Sequence, residues 1–171
     1  REAYGIFAVN GILFNHESPL RGLEFVTRKI SNAVAKIKLG IQKTVKLGNI
    51  EAQRDWGYAP EYVEAMWLML QQSIPEDLVI ATGEKHSVKE FLELSCRYLD
   101  LDMSNILVKN KNLLRPLDVN CLIGDPLKAK NILHWESKIT FKELVETMVQ
   151  KDLERWQSHL NGKIFPWDAI N

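Results

Sequence analysis

The chain reads as an α/β protein, and three observations predict it. Short apolar runs bounded by glycine recur along the sequence: GIFAVNGILF from Gly5, TVKLGNI at 44–50 and LVIATG at 78–83. Between them lie longer stretches of helical periodicity, the alternation expected of strands and helices in layers. At 171 residues and 46% hydrophobic content the chain can bury one sizeable core, the size of one domain or of a piece of a larger one.

The elements follow in order. GIFAVNGILF is almost continuously apolar, which predicts a strand covered on both faces in a parallel sheet. A domain seldom begins on a central strand, so residues 1–4 are expected to end a helix that starts upstream. Phe25, Val26, Ile30, Ala33, Val34 and Ile37 mark one face of a first helix, and Gly40 is placed to stop it. TVKLGNI predicts a short strand and turn. Tyr62, Val63, Met66, Trp67 and Leu70 predict a second helix, with Pro60 near its first turn, and its Trp and Met residues are expected in the core. LVIATG predicts a buried strand ending at Gly83. Ser87 with Glu90 is a capping signature for a third helix carrying Val88, Phe91, Leu92, Cys96 and Leu99. Asp125-Pro126 opens a short helix through Leu133. Thr140 and Glu143 form a capping box for the last helix, whose apolar positions run from Phe141 to Leu160.

Charge and cysteine usage narrow the function. Lys+Arg and Asp+Glu are both 22, so there is no overall positive field for nucleic acid, and any anion site is local. Cys96 and Cys121 lie outside any Cys-x-x-Cys spacing and read as buried thiols in a reducing compartment. No apolar run reaches membrane-spanning length and no basic-then-apolar leader opens the chain. A soluble, cytoplasmic protein is therefore expected.

Several complete motifs are missing. His16-Glu17 suggests a zinc motif, but its second histidine position is Leu20, and the four histidines are otherwise scattered. There is no Gly-x-Gly-x-x-Gly, Walker loop or Gly-x-Ser-x-Gly elbow. What remains are cations at element boundaries: Lys29 in the first turns of a helix, Arg54 in QRDWGY and Arg115 before Pro116. Each alone reads as a solvated charge. Together they suit a diphosphate, because helix N-termini and backbone N–H groups also favour negative charge. Asn15 fits a turn cap as well as a ligand contact. Asp118 could pair with Arg115 or accept from ribose hydroxyls.

Four blocks in order, NGILFNHESPLRGLEFVTRKI, LGNIEAQRDWGYAPEYVEAMWLMLQQ, VIATGEKHSVKEF and RPLDVNCLIGDPLKAKNILHW, resemble the GDP-mannose 4,6-dehydratase family of extended short-chain dehydrogenases/reductases. ERWQSHLNGKIFPWDA near the end resembles the tail of some bacterial members. The resemblance spans the chain but only about the C-terminal half of the family's. It implies the final part of a Rossmann-like parallel sheet plus a small C-terminal α/β substrate-binding domain, with the N-terminal cofactor-binding half absent from residues 1–171.

By the same resemblance His16 and Arg21 contact NADP, while Asn15, Val26, Lys29, Arg54, Arg115 and Asp118 bind GDP-mannose. Two positions depart from the family. Leu20 stands where an arginine is usual, which puts a cofactor or neighbouring-subunit contact in question, and Asp118 stands where glutamate is common, a shorter reach to ribose. The family oxidises C4 of the hexose with NADP, eliminates water across C5 and C6, and returns the hydride at C6, giving GDP-4-keto-6-deoxymannose. That chemistry needs a tyrosine activated by a lysine. Here Tyr4, Tyr58, Tyr62 and Tyr98 are followed four positions on by Ala8, Tyr62, Met66 and Asp102, so no catalytic residue is assigned to this chain. The expectation is a substrate-binding part, inactive alone and homo-oligomeric when complete. The alternatives are a related nucleotide-sugar epimerase or dehydratase and a non-catalytic nucleotide-sugar-binding module.

Overall fold

The computed structural model describes residues 1–114 and 117–163. Its strands are β1 (Gly11–Leu13), β2 (Asn15–Glu17), β3 (Val45–Leu47), β4 (Gln53–Arg54), β5 (Trp56–Tyr58), β6 (Leu78–Ile80), β7 (His86–Ser87), β8 (Leu107–Lys109) and β9 (Cys121–Leu122). The helices are α1 (Val26–Lys38), α2 (Ala59–Leu70), α3 (Val88–Tyr98), α4 (Met103–Ile106), α5 (Leu127–Leu133) and α6 (Phe141–Leu160). The alternation makes this an α/β fold, and the chain divides into two compact units.

The first unit comprises Arg1–Ser18, Ala52–Ser87 and Val119–Leu144. In it β1 pairs in parallel with β6, β2 in parallel with β5, and β4 sits between antiparallel β7 and parallel β9. Its core is built on Tyr62, Ala65, Met69, Leu78, Ile80 and Trp135. The Trp135 indole donates to the Glu61 carbonyl at 3.0 Å, which satisfies its one polar atom as it is buried. The capping box is formed: Glu143 N–H donates to Thr140 Oγ1 at 3.3 Å and Thr140 N–H to Glu143 Oε2 at 2.9 Å.

The second unit comprises Pro19–Glu51, Val88–Asp118 and Val145–Asn171. Parallel β3 and β8 are joined by α1 packing on α3, around buried Ile30, Val34, Val45, Leu92 and Val145. Gly40, at φ +73, ends α1 by adopting the left-handed conformation that a side chain resists.

Three expectations are corrected. The apolar run from Gly5 is not one covered strand: only Gly11–Leu13 and Asn15–Glu17 are extended, split by Phe14, and Ile6, Phe7 and Ile12 are exposed. Residues 1–4 form a turn in which Gly5 N–H donates to the Arg1 carbonyl, a bond of α-helical span, with Gly5 at φ +62. The α2 face of Val63, Met66, Trp67 and Leu70 lies outward; the buried face is Tyr62, Ala65 and Met69. Cys121 is exposed, whereas Cys96 is buried, and burial beside Asp102 and Glu93 pushes its thiol up to about 11.

Candidate functional site

In the first unit the parallel register sets Asn15 opposite Trp56 and His16 opposite Gly57. The two predicted ligand residues therefore stand beside the strand that Arg54 and Asp55 lead into. Arg54 Nη1 donates to the carbonyls of Gln53 at 2.8 Å and Val119 at 2.7 Å, which holds the guanidinium beside the segment that leads into β9. Asp55 is fully buried and accepts from Thr82 N–H, Thr82 Oγ1, Gly83 N–H and Gly124 N–H at 2.8–3.3 Å. It ties the turn after β6 to the residue next to Arg54. Four donors on one carboxylate meet the rule that a buried charge must be fully hydrogen-bonded.

His16 Nδ1 lies 2.9 Å from the Phe14 carbonyl, an acceptor only, so Nδ1 carries a proton and Nε2 is the nitrogen that can accept when the ring holds one proton. The imidazole stacks on Tyr62 with centroids 5.3 Å apart. A Cβ at Gly57 would meet the Tyr62 ring at 2.3 Å, so only glycine lets the tyrosine reach this position. Burial, then the carboxylates of Asp55, Glu61 and Glu17, push the Tyr62 phenol well above its ordinary range.

The second unit holds the remaining predicted residues that the structure describes. Val26 and Lys29 lie in the first turn of α1, both half-buried. Arg21 lies over the Phe25 ring, 3.6 Å from its centroid. Asp118 accepts from Asn49 Nδ2 at 2.9 Å, and Asn49 Oδ1 in turn accepts from Glu51 N–H. Asn49 lines a hollow of about 250 Å³ with Gly48, Ile50, Glu51, Lys109, Asn110, Lys111 and Leu114. That is below the ~300–1,000 Å³ of pockets enclosing a whole drug-sized ligand, so it suits one end of a larger molecule. A Cβ on Gly48 would stand 2.6 Å from the Leu113 carbonyl, so glycine lets these two backbones approach each other beside the hollow.

Arg115 and the end of the tail block, from residue 164, lie outside the described residues. Sequence reading missed Asn49, Asp55 and the Arg28–Asp152 pair, whose oxygens and guanidinium meet at 2.8–2.9 Å. Gly48-Asn49 carries a turn signal that could have found the first. Asp55 beside Arg54 offered only adjacency, and nothing local links residues 28 and 152. Among the described residues no group of three His, Cys, Asp or Glu side chains could hold a metal ion.

The fold defines a class. RMD from Pseudomonas aeruginosa complexed with NADPH matches with a TM-score of 0.82 at 18% identity, over 90% of this chain and 51% of that one. The dTDP-glucose 4,6-dehydratase of Bacillus anthracis, in complex with NAD, matches at 0.76 and 19% identity, over 91% and 48%. The likeness is one of architecture, an α/β Rossmann fold. Residues 1–148 match the family model for GDP-mannose 4,6 dehydratase, and the chain belongs to that family. GDP-mannose 4,6 dehydratase 1 of Arabidopsis thaliana is 56% identical over 90% of this chain and 43% of its own length. The human GDP-mannose 4,6 dehydratase is 50% identical over 95% and 48%, and that of Vibrio cholerae 43% identical over 93% and 50%. The chain thus spans about half the length of these relatives.

Proposed function

We propose that this chain is the nucleotide-sugar-binding part of a GDP-mannose 4,6-dehydratase, a lyase that uses NADP. The observation that carries the reading is identity of 50–56% to dehydratases of this one activity across nine-tenths or more of the chain. The epimerases and dehydratases of similar fold, at 17–22% identity, support the architecture and do not choose among substrates.

Each unit is assigned its own share of the work. In the first, Asn15 orients the sugar through a carboxamide, which can donate and accept without charge, and Arg54 pairs with the diphosphate. In the second, Val26 and Lys29 contact the nucleotide. Asp118 accepts from the ribose hydroxyls, and the hollow beside Asn49 takes the nucleoside end. Arg115 is assigned to that end from the sequence alone.

The donor set also fits part of a dinucleotide. Arg21 offers a guanidinium suited to a phosphate, and His16 Nε2 offers an acceptor for a hydroxyl or amide. When bound, NADP supplies hydride acceptance and return; this chain's residues bind and orient. The complete polypeptide is proposed to be a homo-oligomer.

The test is calorimetry on the complete polypeptide that carries this chain. Arg54→Ala is expected to weaken GDP-mannose binding by about 1.5–3 kcal/mol, the scale of a hydrogen bond to a charged group. This chain alone, given GDP-mannose and NADP, is expected to form no 4-keto product. Unchanged affinity would return Arg54 to a structural role, and turnover by the chain alone would show that the catalytic centre lies within it.

A further inference from the structure

The second unit contains a buried charge network that the substrate assignment does not use. Asp152 on α6 is 1% exposed and Arg28 on α1 6% exposed. Arg28 Nε donates to both Asp152 oxygens at 2.9 Å, and Nη2 lies 2.8 Å from Oδ1. Ser31 Oγ donates to Oδ2 at 2.5 Å, and Arg155 Nη1 to Oδ1 at 3.1 Å. Desolvating such a set costs free energy that well-packed apolar side chains would not, so stability alone is a weak reason for it.

Two further bonds of the network go to one short loop. Arg28 Nη1 donates to the Arg21 carbonyl at 2.9 Å, and Arg155 Nη1 donates to the Pro19 carbonyl at 2.6 Å. The backbone is thus held on both sides of Leu20. Leu20 itself is 76% exposed and uncharged, which makes Arg21 the only cation of the segment from Ser18 to Gly22. Its guanidinium rests on the Phe25 ring, so the backbone and the side chain of Arg21 are positioned independently.

We propose that Asp152, Arg28 and Arg155 are positioning residues for the cofactor: they clamp the Pro19–Arg21 loop so that Arg21 meets a phosphate of NADP in a fixed geometry. The inference rests on the reading of Arg21 as a cofactor contact. A guanidinium on a loop held at two carbonyls loses less freedom on binding than one on an unrestrained loop, so the clamp acts on cofactor affinity through preorganisation.

The experiment is a double-mutant cycle in the complete polypeptide, measuring NADP and GDP-mannose dissociation constants by calorimetry. Arg155→Ala removes the hold on Pro19 while leaving the Arg28–Asp152 pair. It is expected to raise the NADP constant on the order of tenfold and change the GDP-mannose constant less than about twofold. Because the clamp acts through Arg21, Arg155→Ala added to Arg21→Ala is expected to cost nothing further. A general loss of structure would move both ligands and would not disappear in the Arg21→Ala background. Should Arg155→Ala fail to fold, Arg155→Lys, a point ammonium without the planar fork, gives the same readout. If Arg21→Ala leaves NADP binding unchanged, the cofactor reading of Arg21 fails and the clamp with it. If Arg21→Ala weakens NADP while Arg155→Ala has no effect, or has an effect that adds in full to that of Arg21→Ala, the clamp alone is overturned.

Discussion

Helices α1 and α2 are nearly equal in length, at 13 and 12 residues, and relate to their sequences in opposite ways. The buried face of α1 includes Thr27, Arg28 and Ser31 beside Ile30, Ala33 and Val34. The exposed face of α2 is apolar, with Trp67 60% and Leu70 58% exposed alongside Val63 and Met66. In the first helix polar groups go inside because a charge network receives them. In the second, apolar groups stay outside because no described residue covers them. A helix that is apolar all round is ordinarily a buried one. The difference teaches that polarity marks what a surface requires, while burial depends on what else is present to meet it.

The largest expected effect breaks the network on α1. Asp152→Ala strands Arg28, a buried cation, and is expected to cost about 3–5 kcal/mol in urea unfolding of the complete polypeptide. The paired replacement Arg28→Met with Asp152→Leu removes both charges but also the acceptor of Ser31 and Arg155, and is expected to cost about 1–2 kcal/mol, less than the single variant. Equal losses for the single and double variants would mean that shape rather than charge matters at these positions.

A smaller effect separates the two faces of α2. Met69→Ala empties a core position and is expected to cost about 2–5 kcal/mol, whereas Met66→Ala in this chain stays within about 0.5 kcal/mol. Equal losses would overturn the assignment of faces. Repeating Met66→Ala in the complete polypeptide sharpens the comparison, since a larger cost there marks coverage by residues outside this chain.

These two helices also show what could be read from sequence. The 3.6-residue period of α2 was legible in Tyr62, Val63, Met66, Trp67 and Leu70, but period alone could not say which apolar residues would find neighbours. Start and stop signals served well where their chemistry is local: Thr140 with Glu143, Asp125 before α5 and Gly40 after α1 all act within a few residues. Asn15 and Arg54 stood out as polar residues at strand ends, and parallel pairing places them on neighbouring strand segments. Asp55 and Asp152 were illegible because their partners are distant in sequence, Gly124 for one and Arg28 for the other. The short strands β8 and β9 went unseen because two or three residues carry too little period to register.

The smallest effect concerns the residue that opens α1. Phe25 occupies the N-cap with extended backbone, at φ −80 and ψ 140, and neither it nor the N-cap Tyr58 of α2 supplies a side-chain cap. Phe25→Ser would offer the missing acceptor, a gain of about 1 kcal/mol. The same change removes the ring beneath Arg21, a loss of about 0.5–1 kcal/mol for an exposed cation–π contact. Net stability is therefore expected to change by less than about 0.5 kcal/mol, while NADP binding to the complete polypeptide weakens by about two- to fivefold. At Tyr58→Ser no such opposition applies to the cofactor, and NADP affinity is expected to hold. If Phe25→Ser stabilises by the full value of a cap and leaves NADP affinity intact, the aromatic N-cap of α1 does not aim Arg21, and its place there is as incidental to the cofactor as that of Tyr58.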